Sequence, residues 1–463
     1  MPVKHIKKHP LKFTTAVLIM LVAAAALFVP WKIIAQQKII ELLAQNGFEG
    51  STLDITHIGL QSAQLENLRL SKDASPLFDK MTITFSPRDL LAGRVNHLAF
   101  SGLNMQLQQT PDNWLLNGAA LHSVNATDKP APLVIPVTKD EIYAFGLDAA
   151  ELQNSTVHVT TPAYNAEAPL VIMFQKFPEA MIDVISKNAQ LKASGITLNA
   201  DQIHMKAELD TSDNKWKGAW QADNIVTRGQ DNLFPTLTGS GNIEASANTI
   251  TLDGRLDSAD KTTRSSFQLS YPLGAPEKAQ FHLISAAMPW NKGVLSVKNA
   301  IIPLNGKADI HVTLNVEHVP VNALMMMLTG KETNATGDVS GSIPVSIAHD
   351  GKISIGQGKL ANEKPGVISL NPETIPGDNE QITLVRDVMK NLHYQLLSIS
   401  MDSDKDNKLS VIMAVEGSNP DVVEGRPVKL NVHLTGDLLN FVQQSILSLI
   451  DPHTFLKQEL HAK

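Results

Sequence analysis

The chain contains no cysteine in 463 residues. A disulfide framework, a thiolate zinc site and thiol chemistry are therefore excluded, and an oxidising compartment is permitted. It also lacks an extended stripe of basic side chains. Its 46 acidic and 39 basic side chains give a net charge of −7 spread along the chain. Without a basic stripe, nucleic acid is disfavoured as the main partner. No G-x-S-x-G or Walker element occurs. Of the fifteen histidines only His5 and His9 have helical i,i+4 spacing, and they lack the intervening Glu of a metalloprotease motif. Long apolar runs are absent too, with one exception.

That exception is "FTTAVLIMLVAAAALFVPW", Phe13 to Trp31, preceded by Lys4, Lys7, Lys8 and Lys12. At ~1.5 Å per residue it matches the ~30 Å hydrocarbon core of a bilayer. The lysines place residues 1–12 in the cytoplasm as a tail, and residues 13–35 are expected as a transmembrane anchor. A cleaved signal peptide is the competing reading, since Ala24 and Ala26 fit an A-x-A site. Leu27, Phe28 and Val29 keep the run apolar past that point and favour a retained, single-pass anchor. Residues 36–47 follow as a short amphipathic helix, with Asn46-Gly47 as its stop signal.

From Phe48 the apolar period changes from 3.6 to 2. Alternation recurs in "MTITF", "LNMQL", "FQLSY", "DIHVTLNVE", "KLSVIMAVE" and "PVKLNVHLT", separated by turn sequences such as "TPDN", "LDGR" and "KDNK". The fold class is mainly β, a long antiparallel sheet with a few short helices. Those helices are expected at Pro178–Lys187, Val321–Leu328, Glu380–Leu392 and Leu438–Leu449. Three stretches, "IGLQSAQLENLRL", "LAFSGLNMQL" and "AELQNSTVHV", alternate, break phase and resume, as a strand does at a bulge. An ordinary sandwich is the alternative, but no Pro/Gly/Ser-rich linker divides the chain into the several sandwiches its length requires.

Candidate chemical sites are weak. Asp402, Asp404 and Asp406 have EF-hand spacing, but the sixth and twelfth loop positions are Asn407 and Met413, not Gly and Glu. Asp-Asn-Lys reads there as a hairpin turn. Thr211–Lys215 holds an S-D-N triplet without its partner motifs. Leu324–Leu328, "LMMML", reads as a helix packing on the sheet. No catalytic constellation emerges, so the chain is read as non-enzymatic, with no cofactor or metal.

Alternation instead singles out apolar faces. Ile310, Val312, Leu314 and Val316 oppose His311, Thr313, Asn315 and Glu317. Leu409, Val411 and Met413 repeat the pattern, as do Val428, Leu430, Val432 and Leu434. The surrounding motifs resemble the YdbH-like family of the AsmA-like superfamily of envelope lipid-transport proteins. The likeness runs from Thr333 to Leu370, with "TG-x-x-SG-x-IPV", and on through "G-x-NP" and "GRPV-x-LN". The N-terminal anchor, short helix and "PRDLLAGRVNHLAFSGLNMQL" also look AsmA-like. On that resemblance residues 48–290 form an AsmA-like periplasmic β region and residues 291–463 a YdbH-like C-terminal one.

The resemblance implies a β-taco, a U-shaped sheet apolar inside and polar outside, anchored in the inner membrane with its bulk in the periplasm. Phospholipids would slide through the groove towards the outer membrane, and the eleven alternating residues would line it. An outer-membrane lipoprotein would join its C-terminal end. Exposed acyl chains lose about 0.8 kcal/mol per CH₂ in water, which a continuous apolar track avoids. About twenty strands would give a track on the order of 100 Å. The rival classes are an assembly factor for outer-membrane proteins and a structural envelope protein of closed sandwiches.

Overall fold

Each alternating stretch pairs with its neighbours in the chain, and the product is one sheet of 26 strands. The computed structural model describes residues 31–45, 47–110, 114–120, 134–144, 146–161, 164–193, 196–228, 235–304, 308–329, 334–348, 352–371, 380–403 and 409–434. Seven strands make the N-terminal part: β1 (Thr52–Ile58), β2 (Ser62–Arg69), β3 (Phe78–Thr84), β4 (Val95–Ser101), β5 (Asn104–Gln109), β6 (Trp114–Leu116) and β7 (Ala119–Ala120). Longer strands follow: β8 (Leu147–Thr160), β9 (Tyr164–Gln175), β10 (Met181–Ala193), β11 (Ile196–Asp210) and β12 (Lys215–Arg228). The run continues with β13 (Leu237–Ala245), β14 (Thr249–Ser258), β15 (Arg264–Pro272), β16 (Gln280–Trp290) and β17 (Gly293–Pro303). The last part holds β18 (Ile310–Pro320), β19 (Asn334–Ala335), β20 (Asp338–Ile347), β21 (Ile353–Ile355) and β22 (Gly358–Asn362). It ends with β23 (Gly366–Ser369), β24 (Leu392–Ser403), β25 (Leu409–Ser418) and β26 (Val428–Leu434).

Pairing is antiparallel with one exception. The chain breaks at Gly102, whose φ is 68°, so β4 and β5 lie end to end along β8. Both run parallel to it, with Phe100 opposite Leu152 and Met105 opposite Val157. A parallel return needs a long crossover, and residues 110–146 supply it. The sheet is thus mostly antiparallel, as expected, with β4 and β5 beside β8 as its parallel part.

The phase breaks are bulges and bends. Asn67, Gly102 and Asn154, one in each stretch, have positive φ. Asn154 falls where the β8–β9 register shifts between Leu152 and Ser155. Asn188 and Asn224 repeat this on β10 and β12. Asparagine tolerates the left-handed region better than most residues, and each such bulge bends its strand.

Five helices lie among the described residues: α1 (Trp31–Gln45), α2 (Pro87–Leu91), α3 (Lys139–Ala144), α4 (Val321–Thr329) and α5 (Glu380–Met389). The last two match expectation. The expected helix at Pro178–Lys187 is wrong, because Met181 onward belongs to β10. There Ile182, Val184 and Ile185 favour a strand, and β9 and β11 satisfy its backbone on both sides. α1 runs unbroken past residue 35 and stops at Gly47, whose φ is 89°. Among the described residues no helix is long and apolar enough to cross a membrane. Residues 1–30, with nearly all of the expected anchor and His5 and His9, lie outside the described residues, as does Leu438–Leu449.

Candidate functional site: an apolar track across the sheet

Residues directly opposite in a sheet share a face, so the register traces rows across it. One row runs Ile55, Leu65, Met81, Phe100, Leu152, Ile172 and Val184. It continues through Met205, Trp220, Gly241, Gly254, Phe267, Leu283 and Ala300. Fourteen strands contribute, and no member is polar. A second row beside it includes Leu98, Ala150, Phe174, Ile182, Ala207, Gly218, Ile243, Leu252, Leu269, Phe281 and Ile302. The opposite face carries His204, Gln221, Ser240, Arg255, Ser266, Ser285 and Lys298 in one row.

What covers the apolar face changes along the sheet. From β8 to β16 most of its residues are only half-buried, Ile172, Val184, Met205, Ile243, Leu252 and Phe281 among them. Small elements cover its margins. Ile39 of α1 packs on the β1–β4 face. Ile135, Val137 and Ile142, before and within α3, pack on Phe174, Ile182, Leu209, Trp216 and Ile250. This strap is tied by Ile135 N–H to Ala247 O at 3.0 Å and by Trp216 Nε1–H to Pro136 O at 2.8 Å. A capping interaction secures α3: the Glu141 carboxylate accepts from the backbone N–H of Val137 and Thr138. These hydrogen bonds, with one from the Thr138 hydroxyl, hold Glu141 below the usual carboxylate range.

From β17 onward the same face is sealed. A row through Met288, Leu295, Val316, Gly341, Leu360, Ile399, Met413 and Val432 belongs largely to one core. That core also takes Val321, Leu324 and Met325 of α4 and Val388 and Met389 of α5. Ten of the eleven residues singled out by alternation are on this face. Ile310, Val312, Leu314, Val316, Val411 and Met413 are buried in the core, and Leu409, Val428, Leu430 and Val432 pack against it. Leu434 sits opposite Val411. His311 and Asn431, on the other face, are exposed.

Between the half-buried track and the sealed core lies an apolar cavity of about 520 Å³. Leu256, Phe267, Phe281 and Leu283 line it from one side, and Leu295, Val297, Ile302 and Val312 from the other. Phe267 stacks on Phe281 with centroids 5.2 Å apart. On the other side of Phe267, the Trp220 indole lies over Gly239, Gly241 and Gly254 and donates to Asp253 O at 2.9 Å. A Cβ on Gly241 would come within 2.7 Å of the indole nitrogen, so the glycines let the ring lie flat. Of the candidate residues only Val312 reaches this cavity. The rest of its lining escaped the sequence reading, although "FQLSY" carried the alternation that places Phe267.

Among the described residues no group of three or more His, Asp or Glu side chains could hold a metal ion. Asp402 and Ser403 end β24 opposite Ser410 and Leu409; Asp404, Asp406 and Asn407 lie outside the described residues. Thr211–Asn214 likewise turns β11 into β12, with Asp210 accepting from Ser212 N–H.

Comparison with protein families places the C-terminal part. Residues 261–443 match the model of the YdbH-like family. The family's model is described as intermembrane phospholipid transport protein YdbH. The matched region thus starts in the turn before β15, beside the cavity, and contains the whole sealed core from β17 to β26. No curated protein and no solved structure matches the chain.

Proposed function

We propose that this protein carries phospholipids between membranes without catalysis, their acyl chains lying on the apolar face of the sheet. The observation that carries the reading is the unbroken apolar row from Ile55 to Ala300, half-buried along much of its length and backed by a polar row. A surface of that kind replaces water around each methylene for the whole passage. The anchor at residues 13–35 would fix the N-terminal end in the inner membrane, with the sheet in the periplasm. The eleven residues of the YdbH-like region would continue the path once the core between β17 and β26 parts. Among the described residues β26 pairs only with β25. Its free edge would accept a strand from an outer-membrane lipoprotein.

A photo-crosslinking residue at Ile172 or Met205 should capture phospholipid in cells, and one at His204 or Gln221 should not. Equal capture from the two faces, or none from either in folded protein, would sink this reading.

A further inference from the structure

The cavity between β13 and β18 contains a polar atom that packing does not explain. Thr263 lines it and is 9% exposed. Its hydroxyl oxygen is buried without a hydrogen-bond partner. The backbone around it is fully engaged: Thr263 N–H donates to Ser258 Oγ at 3.0 Å, and Thr263 O accepts from Ser258 N–H at 2.9 Å. Asp260 accepts from Ser258, from the Thr262 hydroxyl and from Thr262 N–H. The turn is thus fixed, and with it the Thr263 side chain. Two residues on, Ser265 faces the same way as Phe267 and also lines the cavity. A buried hydroxyl left unpaired costs free energy that valine at the same place would not.

The surrounding geometry suits one ligand chemistry. Except for Thr263, Arg264, Ser265 and Ser296 the lining is apolar. The volume falls in the ~300–1,000 Å³ range of sites for single small ligands. A β16 bulge at the cavity leaves Ile284 unpaired between Leu283 and Ser285. Beyond Val312 and Leu295 the face is sealed, so a chain arriving along the track stops here.

We propose that this cavity is a resting seat for one diacyl glycerophospholipid, an acyl chain lying against Phe267, Phe281 and Val297 and an ester carbonyl accepting from the Thr263 hydroxyl. The proposal rests on the transport reading above but assigns it a definite halting point. An oxygen acceptor separates this ligand from a bare hydrocarbon, which would fill the cavity and leave the hydroxyl unpaired.

The test uses full-length protein in detergent loaded with diphenylhexatriene, displaced either by dipalmitoylphosphatidylglycerol or by hexadecane. Thr263→Val should raise the phospholipid concentration for half-displacement about three- to tenfold, the loss of one hydrogen bond. It should leave hexadecane within about twofold, and Thr263→Ser should behave as wild type. Leu283→Trp, which fills the cavity from its wall, should weaken displacement by both. Thermal unfolding checks that each variant is folded. Unchanged phospholipid displacement in Thr263→Val, or an equal loss for hexadecane, would overturn the seat even while a crosslinker at Met205 still captures lipid. No capture at Met205 would overturn the transport reading and the seat with it.

Discussion

At the scale of single residues, the apolar face plays two roles that the same amino acids can fill. Leu360 and Met413 are fully buried in the sealed core. Truncating either to alanine removes packing that cannot be recovered, so Leu360→Ala should lower stability by about 2–5 kcal/mol in denaturant unfolding. Ile172 is only half-buried, and Ile172→Ala should cost under about 1.5 kcal/mol. Its effect belongs in lipid capture instead. Gly254 is a third case. A side chain there would collide with the Trp220 ring. Gly254→Val should lift the indole off the sheet, costing about 1–3 kcal/mol and cutting lipid crosslinking at Phe267 beyond it. Normal crosslinking in a folded Gly254→Val protein would show that the flat indole is not needed to keep the track clear.

Among elements, the bulges and the strap carry the predictions. Asn188 has φ 58° in β10. Asn188→Val should destabilise by about 1–2 kcal/mol, while Asn188→Gly should be nearly neutral. The strap at Val134–Ala144 is tied in part through Glu141, whose folded-state pKa lies below its ordinary 4.5. A depressed carboxylate pKa contributes stability above the unfolded value, and that contribution is lost as pH falls through the folded one. Hydrogen exchange of Val137 and Thr138 should therefore speed up, beyond the intrinsic pH effect, once pH drops below about 4.5. Glu141→Gln should abolish that step. The quoted alternating strands, α4, α5 and the phase breaks around Asn67, Gly102 and Asn154 were legible in the sequence, since period and phase are local properties. Pro178–Lys187 misled because two neighbouring strands settled a segment whose local pattern was mixed. The parallel β4–β8 junction was illegible: nothing in Leu147–Thr160 states which edge it will join. The cavity was illegible for a related reason. Phe267, Leu283 and Val297 meet only through register across several strands, whereas Val428 to Leu434 announce their common face in one stretch.

For the whole molecule, the row from Ile55 to Ala300 crosses fourteen strands, and at ~4.8 Å each its thirteen gaps extend about 60 Å. Because strands alternate in direction, deleting a hairpin should preserve the pairing where deleting one strand should not. Removing Met181–Asp210, β10 with β11, would bring β9 against β12 with the apolar faces still aligned. Small-angle scattering should show a folded particle shorter by about 10 Å, whereas removal of β10 alone should give insoluble or unfolded protein. A folded single-strand deletion would show that pairing order is not what fixes the sheet. The order has a further consequence for how the molecule comes into being. Residue number rises without reversal along both rows, from Ile55 to Ala300 and from Met288 to Val432. A chain emerging N-terminus first therefore meets, for nearly every new strand, an edge already completed by the strands before it. Few contacts wait for distant sequence, which favours rapid zippering over a slow search. The insertion between β5 and β8 is the one long pause before β17. A stalled nascent chain released after β17 should already hold its upstream sheet.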